Sequence, residues 1–318
     1  MHKFDVTLAG DSNLDLLLYG LPPELPPERE LLADRMILTL GGSAAITAHN
    51  LSSLGSRVGF VTSRADDAFG ATCAKALEGA GVDLSQSVVA PQGVGTGVTF
   101  ILQHDGFRRA FTYPGTISAL NRKQLNIEYL TSSKHFHLSS FFLQQDLRED
   151  VPELFSTLKR AGLTVSLDTN DDPSDQWPEV INEVLKHVDI LMPNEREACR
   201  MAKEPKIEDA IRVLAERVPL LVIKRGARGA MARSGGDTHV VPAFPVTAVD
   251  AVGAGDTFNA GFLHAYVHGR PIDECLKFGN LAGAYSTQAA GGVAAFQDKT
   301  AMEQFFESRA EGLYSATR

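Results

Sequence analysis

The chain has 318 residues, of which 44% are hydrophobic and 22% charged, and its formal net charge is −9. This composition is typical of a globular protein and excludes a collagen-like, coiled-coil or disordered chain. The acidic balance, without a block of Lys or Arg, argues against binding to nucleic acid or to an anionic membrane surface.

The N-terminus lacks the basic stretch and apolar core of a signal peptide, and no run of about 18 apolar residues could span a membrane. A soluble, cytoplasmic protein is therefore predicted. The chain has three cysteines, Cys73, Cys199 and Cys275, and no CxxC pair. This odd number argues against a disulfide framework or a structural zinc site, and we expect three small buried side chains.

Short apolar runs alternate with segments of helical period along most of the chain. The predicted strands are residues 6–9, 58–62, 135–138, 164–168, 190–192 and 220–224. The predicted helices are residues 43–54, 66–80, 150–161, 178–187, 207–217 and 256–268, and a final helix follows Ala301. Such alternation predicts an α/β fold, a three-layer α/β/α sandwich with a mostly parallel central sheet.

Two regions depart from this alternation. Residues 12–38 alternate at Leu14, Leu16 and Leu18 before a Pro-rich turn. Residues 94–113 alternate again, with His104-Asp105-Gly106 as a hairpin turn. We expect antiparallel strands outside the main sheet, which together form a small β-strand lid. The length fits one large domain, so residues 1–318 are predicted to be a single domain with this lid.

The most informative segment is Gly253-Ala254-Gly255-Asp256, which precedes a helix with apolar residues. A Gly-Ala-Gly turn lets backbone N–H groups converge at a helix N-terminus, which suits a phosphate group. A carboxylate there can take a proton from a substrate hydroxyl while the amides hold the phosphoryl group. The alternative is that Asp256 only caps the helix, as Asp often does.

Residues 249–261, with the sequence VDAVGAGDTFNAG, resemble the C-terminal signature of ribokinase-like (PfkB-type) carbohydrate kinases. The N-terminal signature of that family also appears as Gly41-Gly42-Ser43-Ala44-Ala45. Further matches follow in the family's order, and the resemblance covers residues 4–297. These matches are Gly10–Asp15, Asp168–Asn170, Asn194–Glu197 and Lys224–Gly229.

This resemblance implies roles for several residues. Asp256 corresponds to the general base, and the amides of Gly253, Ala254 and Gly255 correspond to the anion hole. ATP and Mg²⁺ are the implied cofactors, with Glu197 holding Mg²⁺ through water. The residues implied at the nucleotide are Asn194, Lys224, Gly226, Gly229 and Asn280. The alternative for Asn194 and Glu197 is a capping box at a helix start.

The resemblance also implies a monovalent-cation site for K⁺, formed by Asp250 and the carbonyls of residues 286–294. At the sugar end, Asn13 and Asp15 point to one face of a strand and can hydrogen-bond to sugar hydroxyls. Gly41 and Gly42 would let the backbone approach the sugar, although a turn entering a helix explains them equally well.

Three positions depart from the family pattern. Ile46 stands where an Asn often contacts the sugar, Ala251-Val252 replaces a frequent Thr-Thr, and Asp172 lies near the place of a frequent Arg. The first and third leave the identity of the sugar open. The pair His135 and His137 lies on one strand face without an evident third ligand, so an ordinary strand explains it better than a metal site.

The predicted activity is ATP-dependent transfer of the γ-phosphoryl group to a hydroxymethyl group of a small sugar, as in fructokinases or ribokinases. The alternatives are a nucleoside kinase or sugar-phosphate kinase of the same fold, or a sugar-sensing protein without activity. An unphosphorylated sugar is favoured because Asp11 and Asp15 make the site acidic. Only one of Arg108 and Arg109 should face the cleft, since alternate residues of a strand point to opposite faces. A homodimer through the lids is also predicted.

Overall fold

The computed structural model describes residues 2–104 and 107–309, so the predicted turn residues Asp105 and Gly106 lie outside it. The elements in chain order are β1 (Phe4–Ala9), β2 (Asn13–Tyr19), β3 (Arg35–Gly41), α1 (Ser43–Ser53), β4 (Val58–Val61), β5 (Ser63–Arg64), α2 (Ala68–Gly79), β6 (Val88–Val89), β7 (Gly97–His104), β8 (Phe107–Tyr113), α3 (Ile127–Leu130), β9 (Ser133–Ser139), α4 (Val151–Arg160), β10 (Thr164–Asp168), α5 (Val180–Leu185), β11 (Ile190–Leu191), α6 (Glu195–Ala202), α7 (Ile207–Ala215), β12 (Leu220–Lys224), β13 (Ala230–Ser234), β14 (Asp237–Val241), α8 (Ala254–Val267), α9 (Ile272–Ser286) and α10 (Lys299–Arg309).

The main sheet has eight strands in the order β14-β13-β12-β11-β10-β9-β1-β4. Its strands from β12 to β4 pair in parallel, whereas β13 and β14 are antiparallel. Two apolar cores fill its two faces, because alternate strand residues point to opposite sides. Val6 and Leu8 belong to the core that includes α1, α8 and α9, and Phe136 and Leu138 to the core that includes α4 and α7. The predicted three-layer α/β/α architecture is confirmed.

A separate four-stranded sheet, called here the small sheet, has the order β3-β2-β7-β8. Both regions predicted to form the lid contribute to it, and the pairs β2–β3 and β7–β8 are antiparallel as expected. The pair β2–β7 is parallel, so the expectation of antiparallel strands throughout is wrong. The two strands come from distant segments, and local alternation carries no information on their relative direction. The role of the small sheet as a lid of a single domain stays a prediction.

Several elements of the main body were not expected from the sequence, among them β13, β14 and α9. The hairpin β13–β14 is half-exposed at the sheet edge, and α9 is buried on so many sides that it lacks a clear polar face. All three cysteines are free; Cys73 and Cys275 are buried, but Cys199 is only partly buried, which corrects the expectation for it. Within the described ranges, every helix is too short or too polar to cross a bilayer.

The parallel strands bring polar residues to one edge of the main sheet. Asp11 follows β1, Asp168 ends β10, Asn194 follows β11 and Lys224 ends β12. In open α/β sheets, ligands bind at the carboxyl ends of the parallel strands. The N-terminus of α8 lies at this same edge, since Lys224 is close to Gly255.

Candidate active site

Helix α8 begins with an uncapped N-terminus. Its N-cap residue, Gly253, has a φ of 73° and offers no side chain to the first turn. Among the described residues, the amides of Gly253 and Gly255 have no hydrogen-bond acceptor, while the Ala254 amide donates to the Ala251 carbonyl at 3.3 Å. The free amides and the helix dipole together favour an anion at this point. The predicted anion hole is therefore available, chiefly through Gly253 and Gly255.

Two cavities meet at this turn. The first, of about 840 Å³, includes Gly253 and Asp256 in its lining and is called here the Asp256 cavity. The second, of about 520 Å³, includes Lys224, Ala254 and Gly255 and is called the Lys224 cavity. One helical turn therefore separates two binding spaces, and its consecutive residues face one space or the other.

The carboxyl group of Asp256 lies at the wall of the first cavity. Burial, together with the nearby charge of Asp168, raises the pKa of Asp256 to about 7. Asn170 donates from Nδ2 to Oδ1 of Asp256 at 3.5 Å and accepts a hydrogen bond from the Ser140 amide at 2.8 Å. A carboxyl group with such a pKa can accept a proton near neutral pH, as a general base must.

The sugar-end residues Asn13 and Asp15 both line the Asp256 cavity, and Asn13 donates to Asp15 at 3.0 Å. The predicted common face of these two side chains is therefore correct. Burial raises the pKa of Asp15 to about 7. Gly42 also lines this cavity and has a φ of 89°. Gly41 is buried, and a Cβ there would come within 2.1 Å of the Asp15 carboxylate. Glycine at position 41 thus leaves room for the side chain of Asp15.

Lys224 lies in the lining of the cavity that carries its name. It forms an ion pair with Asp168, which also accepts a hydrogen bond from Asn259 at 2.6 Å. Burial alone would lower the pKa of Lys224, but the charges of Asp168 and Glu197 raise it above its ordinary value. Its ammonium group lies 3.6 Å from the position of a Cβ built on Gly255. A fixed positive charge therefore stands beside the anion hole.

The predicted nucleotide residues Gly226, Gly229 and Asn280 line the Lys224 cavity. A side chain at Gly229 would collide with the Val241 carbonyl, and its φ of 86° also suits glycine. Asn280 donates to that carbonyl at 3.1 Å. Both residues therefore contact the Val241 carbonyl group and fix the position of the cavity lining around it. The remaining lining is largely apolar, with Lys224 as its one charged residue among those described.

Asn194 and Glu197 form the capping box that the sequence offered as one interpretation. The Asn194 amide donates to Glu197 Oε2 at 2.8 Å, and its side chain donates to Oε1 at 2.6 Å. Glu197 lines the Asp256 cavity, but in the described part of the chain Asn194 lines neither cavity. Burial raises the pKa of Glu197 to about 7. Asn194 thus fixes the carboxylate of Glu197, and a nucleotide contact by Asn194 stays a prediction.

Asp250 precedes the anion hole and is buried. Its carboxylate accepts hydrogen bonds from the amides of Val252 and Gly291, both at 3.1 Å. It thereby connects the predicted carbonyl-bearing segment, residues 286–294, to the start of α8. Among the described residues, no group of three or more acidic, His or Cys side chains forms a metal cluster. A cation site at Asp250 stays a prediction.

The departures from the family pattern have clear contacts. Ile46 is buried against the backbone of Gly253 and Gly292, so it packs against the turn of the anion hole. The Asp172 carboxylate accepts four hydrogen bonds from residues 174–177 and organises that loop. His135 and His137 are buried and both hydrogen-bond to Ser166 at 2.7 Å, which supports the structural interpretation of this pair.

Three further residues of the Asp256 cavity were not selected as site residues from the sequence. Asn170 belongs to the family motif Asp168–Asn170, and this motif is the signal that could have identified it as a site residue. Asp11 accepts hydrogen bonds from Ser43 and Ala44 and lines the cavity beside Asp15. Arg148 also lines it, from a short turn before α4, and carried no sequence signal.

Residues 5–299 match the family described as pfkB family carbohydrate kinase. The chain is 29% identical over 281 residues to a cytidine kinase of Thermococcus kodakarensis, covering 86% of this chain and 93% of that protein. It is 29% identical over 288 residues to an ATP-dependent ribose-1-phosphate kinase of Halopiger xanaduensis, covering 90% and 93%. A structure of a putative ribokinase II from E. coli in complex with ATP and Mg²⁺ superposes with a TM-score of 0.83 at 23% identity, covering 96% and 99%.

The family match covers nearly the whole chain, and the fold agrees with it. The chain belongs to the pfkB family of carbohydrate kinases. It is a phosphotransferase of the ribokinase-like fold, within a family whose relatives include both sugar kinases and nucleoside kinases.

Proposed function

We propose that this protein transfers the γ-phosphoryl group of ATP to a hydroxymethyl group of a small sugar. The observation that carries the proposal is the position of the α8 N-terminus between the Lys224 cavity and the Asp256 cavity. A nucleotide in the Lys224 cavity and a sugar in the Asp256 cavity would meet at the free amides of Gly253 and Gly255. Phosphoryl transfer depends mainly on such positioning and on charge stabilisation.

In this mechanism, Asp256 takes the proton of the attacking hydroxyl group. Its raised pKa lets it accept a proton near neutral pH and release it afterwards to water. The amides of Gly253 and Gly255, with the ammonium group of Lys224, stabilise the negative charge that the transferring group carries. Asn13 and Asp15 hold other hydroxyls of the sugar and fix its orientation.

The residues present suit Mg²⁺. Glu197 supplies a buried carboxylate in the Asp256 cavity, and each of its oxygens keeps a lone pair beyond the hydrogen bonds to Asn194. Magnesium prefers oxygen ligands and retains several waters, so Glu197 would hold it through water. Bound there, the ion would neutralise charge on the phosphates. The E. coli structure described with ATP and Mg²⁺ supports the use of this ion and nucleotide.

The test is ADP formation by the purified protein with ATP, Mg²⁺ and a panel of acceptors. The panel contains fructose, ribose, other free sugars, cytidine and adenosine, and phosphorylated sugars. Turnover with a sugar, lost in Asp256→Asn, supports the proposal. Turnover confined to nucleosides would instead support a nucleoside kinase, as the cytidine kinase relative suggests. An absence of turnover with every acceptor would contradict the proposed function.

A further inference from the structure

The wall of the Asp256 cavity carries two arginines. On β8, Arg108, Ala110 and Thr112 line the cavity, while Arg109 does not. The alternation of side chains along a strand explains this difference, and the expectation that only one of the two arginines faces the cleft is confirmed. Arg148 lines the same cavity from the segment before α4. Arg108 and Arg148 are its only cationic side chains among the described residues.

Both arginines have unused hydrogen-bonding capacity. In the part of the chain that the structure describes, Arg108 has no carboxylate within ion-pair distance and no side-chain hydrogen bond. The Nε atom of Arg148 is buried without a hydrogen-bond acceptor, and its nearest charge is the exposed carboxylate of Glu149 at 3.6 Å. A guanidinium group is a planar array of donors that matches the oxygens of a phosphate or carboxylate.

The acids of this cavity are, by contrast, largely engaged. Asp172 caps its own loop, Asp171 pairs with Arg196 outside the cavity, and Asp11 caps the start of α1. Their negative charge is thus partly compensated by groups of the protein. Arg108 has no ion-pair partner among the described residues, and Arg148 has only the exposed carboxylate of Glu149 and no hydrogen-bond acceptor at Nε.

Resting on the proposed function, we propose that the acceptor carries an oxyanion group, a phosphate ester or a carboxylate, held by Arg108 and Arg148. Its reacting hydroxyl lies at Asp256, and Asn13 and Asp15 bind the ring between. This differs from the free sugar that the sequence favours, because no motif indicated that Arg148 lines the same cavity as Arg108. Catalysis is unchanged, and the arginines determine acceptor specificity.

Matched acceptor pairs test the proposal: ribose with ribose 1-phosphate, fructose with fructose 6-phosphate, and glucose with gluconate. We expect kcat/KM for one anionic member to exceed that of its neutral partner at least about tenfold, as charge-assisted hydrogen bonds provide. The phosphorylated and carboxylated members distinguish the two sources of the oxyanion. A preference for the neutral member in every pair would overturn the proposal.

Variants locate the effect. In Arg108→Gln and Arg148→Gln, the anionic-to-neutral ratio of kcat/KM should fall at least tenfold, mainly through KM, and Arg148→Lys should retain part of it. Arg109→Gln is the matched control, since this neighbour on the same strand lies outside the cavity lining, and its ratio should stay unchanged. An equal loss for both members of a pair would show a structural role and overturn the assignment.

Binding measured by calorimetry separates this proposal from the proposed function. The wild-type protein should bind fructose 6-phosphate or gluconate more tightly than the neutral partner, and the two Arg→Gln variants should lose the difference. This result would support the arginine site even if no turnover were found. Turnover without any difference in binding or rate within the pairs would overturn the arginine site and leave the kinase activity standing.

Discussion

The hydroxyl group of Tyr19 donates a hydrogen bond of 3.0 Å to Oδ2 of Asp250, and Gln103 donates to Oδ1 of the same carboxylate at 3.1 Å. Tyr19 ends β2 and Gln103 lies on β7, so the two central strands of the small sheet are bound to the segment before α8. Val252, which packs against Leu17 and Ile101, adds an apolar contact to the same connection. The position of the small sheet and the shape of the anion hole are therefore linked.

Replacing Asp256 by Asn removes the proton acceptor and keeps the size of the side chain. Turnover should fall by roughly 10²- to 10⁴-fold, as expected for a general base. The melting temperature should change little, since Asn can accept the hydrogen bond from Asn170. Steady-state ADP formation and thermal unfolding check both points, and near wild-type turnover would remove Asp256 from this role.

The two glycines of the anion hole should respond differently to substitution. Gly255→Ala meets only ordinary contact, with Lys224 Nζ at 3.6 Å, so activity should fall by less than about tenfold. Gly255→Asp places a carboxylate beside Lys224 and should reduce kcat by roughly 10²-fold or more. Gly253→Ala should destabilise the fold, because its φ is 73° and its Cβ would lie 2.5 Å from the Gly292 Cα atom. Equal activities of Gly255→Ala and Gly255→Asp would contradict the anion hole.

The variant Asp15→Asn should gain stability and lose activity. The folded state raises the pKa of Asp15 to about 7, above its value of ~3.9 in an unfolded chain, so stability from this group is lost as pH rises through 7. At pH 8 the free energy of unfolding of the variant should exceed that of the wild type by ~1–3 kcal/mol. At pH 4 the two values should not differ in this way. Meanwhile kcat/KM should fall by an amount that corresponds to a loss of about 1.5–3 kcal/mol in transition-state binding. A gain that is the same at both pH values would contradict the buried, neutral carboxyl.

A monovalent cation at Asp250 should accelerate the reaction by completing the electrostatics behind the anion hole. We expect several-fold higher rates in K⁺ than in tetramethylammonium at matched ionic strength, and no such difference in Asp250→Asn. The free amides of the α8 turn remain available in either salt, so basal turnover persists. Equal wild-type rates in the two salts would reject the cation site.

The protein should form a homodimer through the outer face of the small sheet, which is the face opposite the Asp256 cavity. Leu38, Leu16, Phe100 and Phe111 lie in one row across its four strands, and Phe111 is 56% exposed. Phe111→Glu should shift sedimentation to the monomer mass of 34.3 kDa. Val240→Glu, at an exposed position of the main-sheet edge, is the control and should leave the mass unchanged. A monomeric wild type at micromolar concentration would disprove the dimer.

The main sheet and the glycine turn at the start of α8 could be predicted because their signals are local. Buried parallel strands appear as short apolar runs, and Gly253–Asp256 is contiguous in sequence. The parallel pairing of β2 with β7 could not be predicted, since it joins segments about 80 residues apart. The same holds for Arg148 and for the partners of Asp250, whose roles depend on side chains that meet only in the folded chain. Gly41 shows a further limit: its need for room arises from Asp15 on the neighbouring strand.

The two cavities share no lining residue among those that the structure describes. Apart from Val252, Gly253 and Asp256, the walls of the Asp256 cavity all precede residue 198, whereas those of the Lys224 cavity begin at residue 224. Under the proposed function, recombination between related genes at a point between these positions would exchange most of the acceptor wall as a block and leave the donor wall whole. The acceptor specificity of the proposed enzyme would then change without a change in the walls of the proposed donor site.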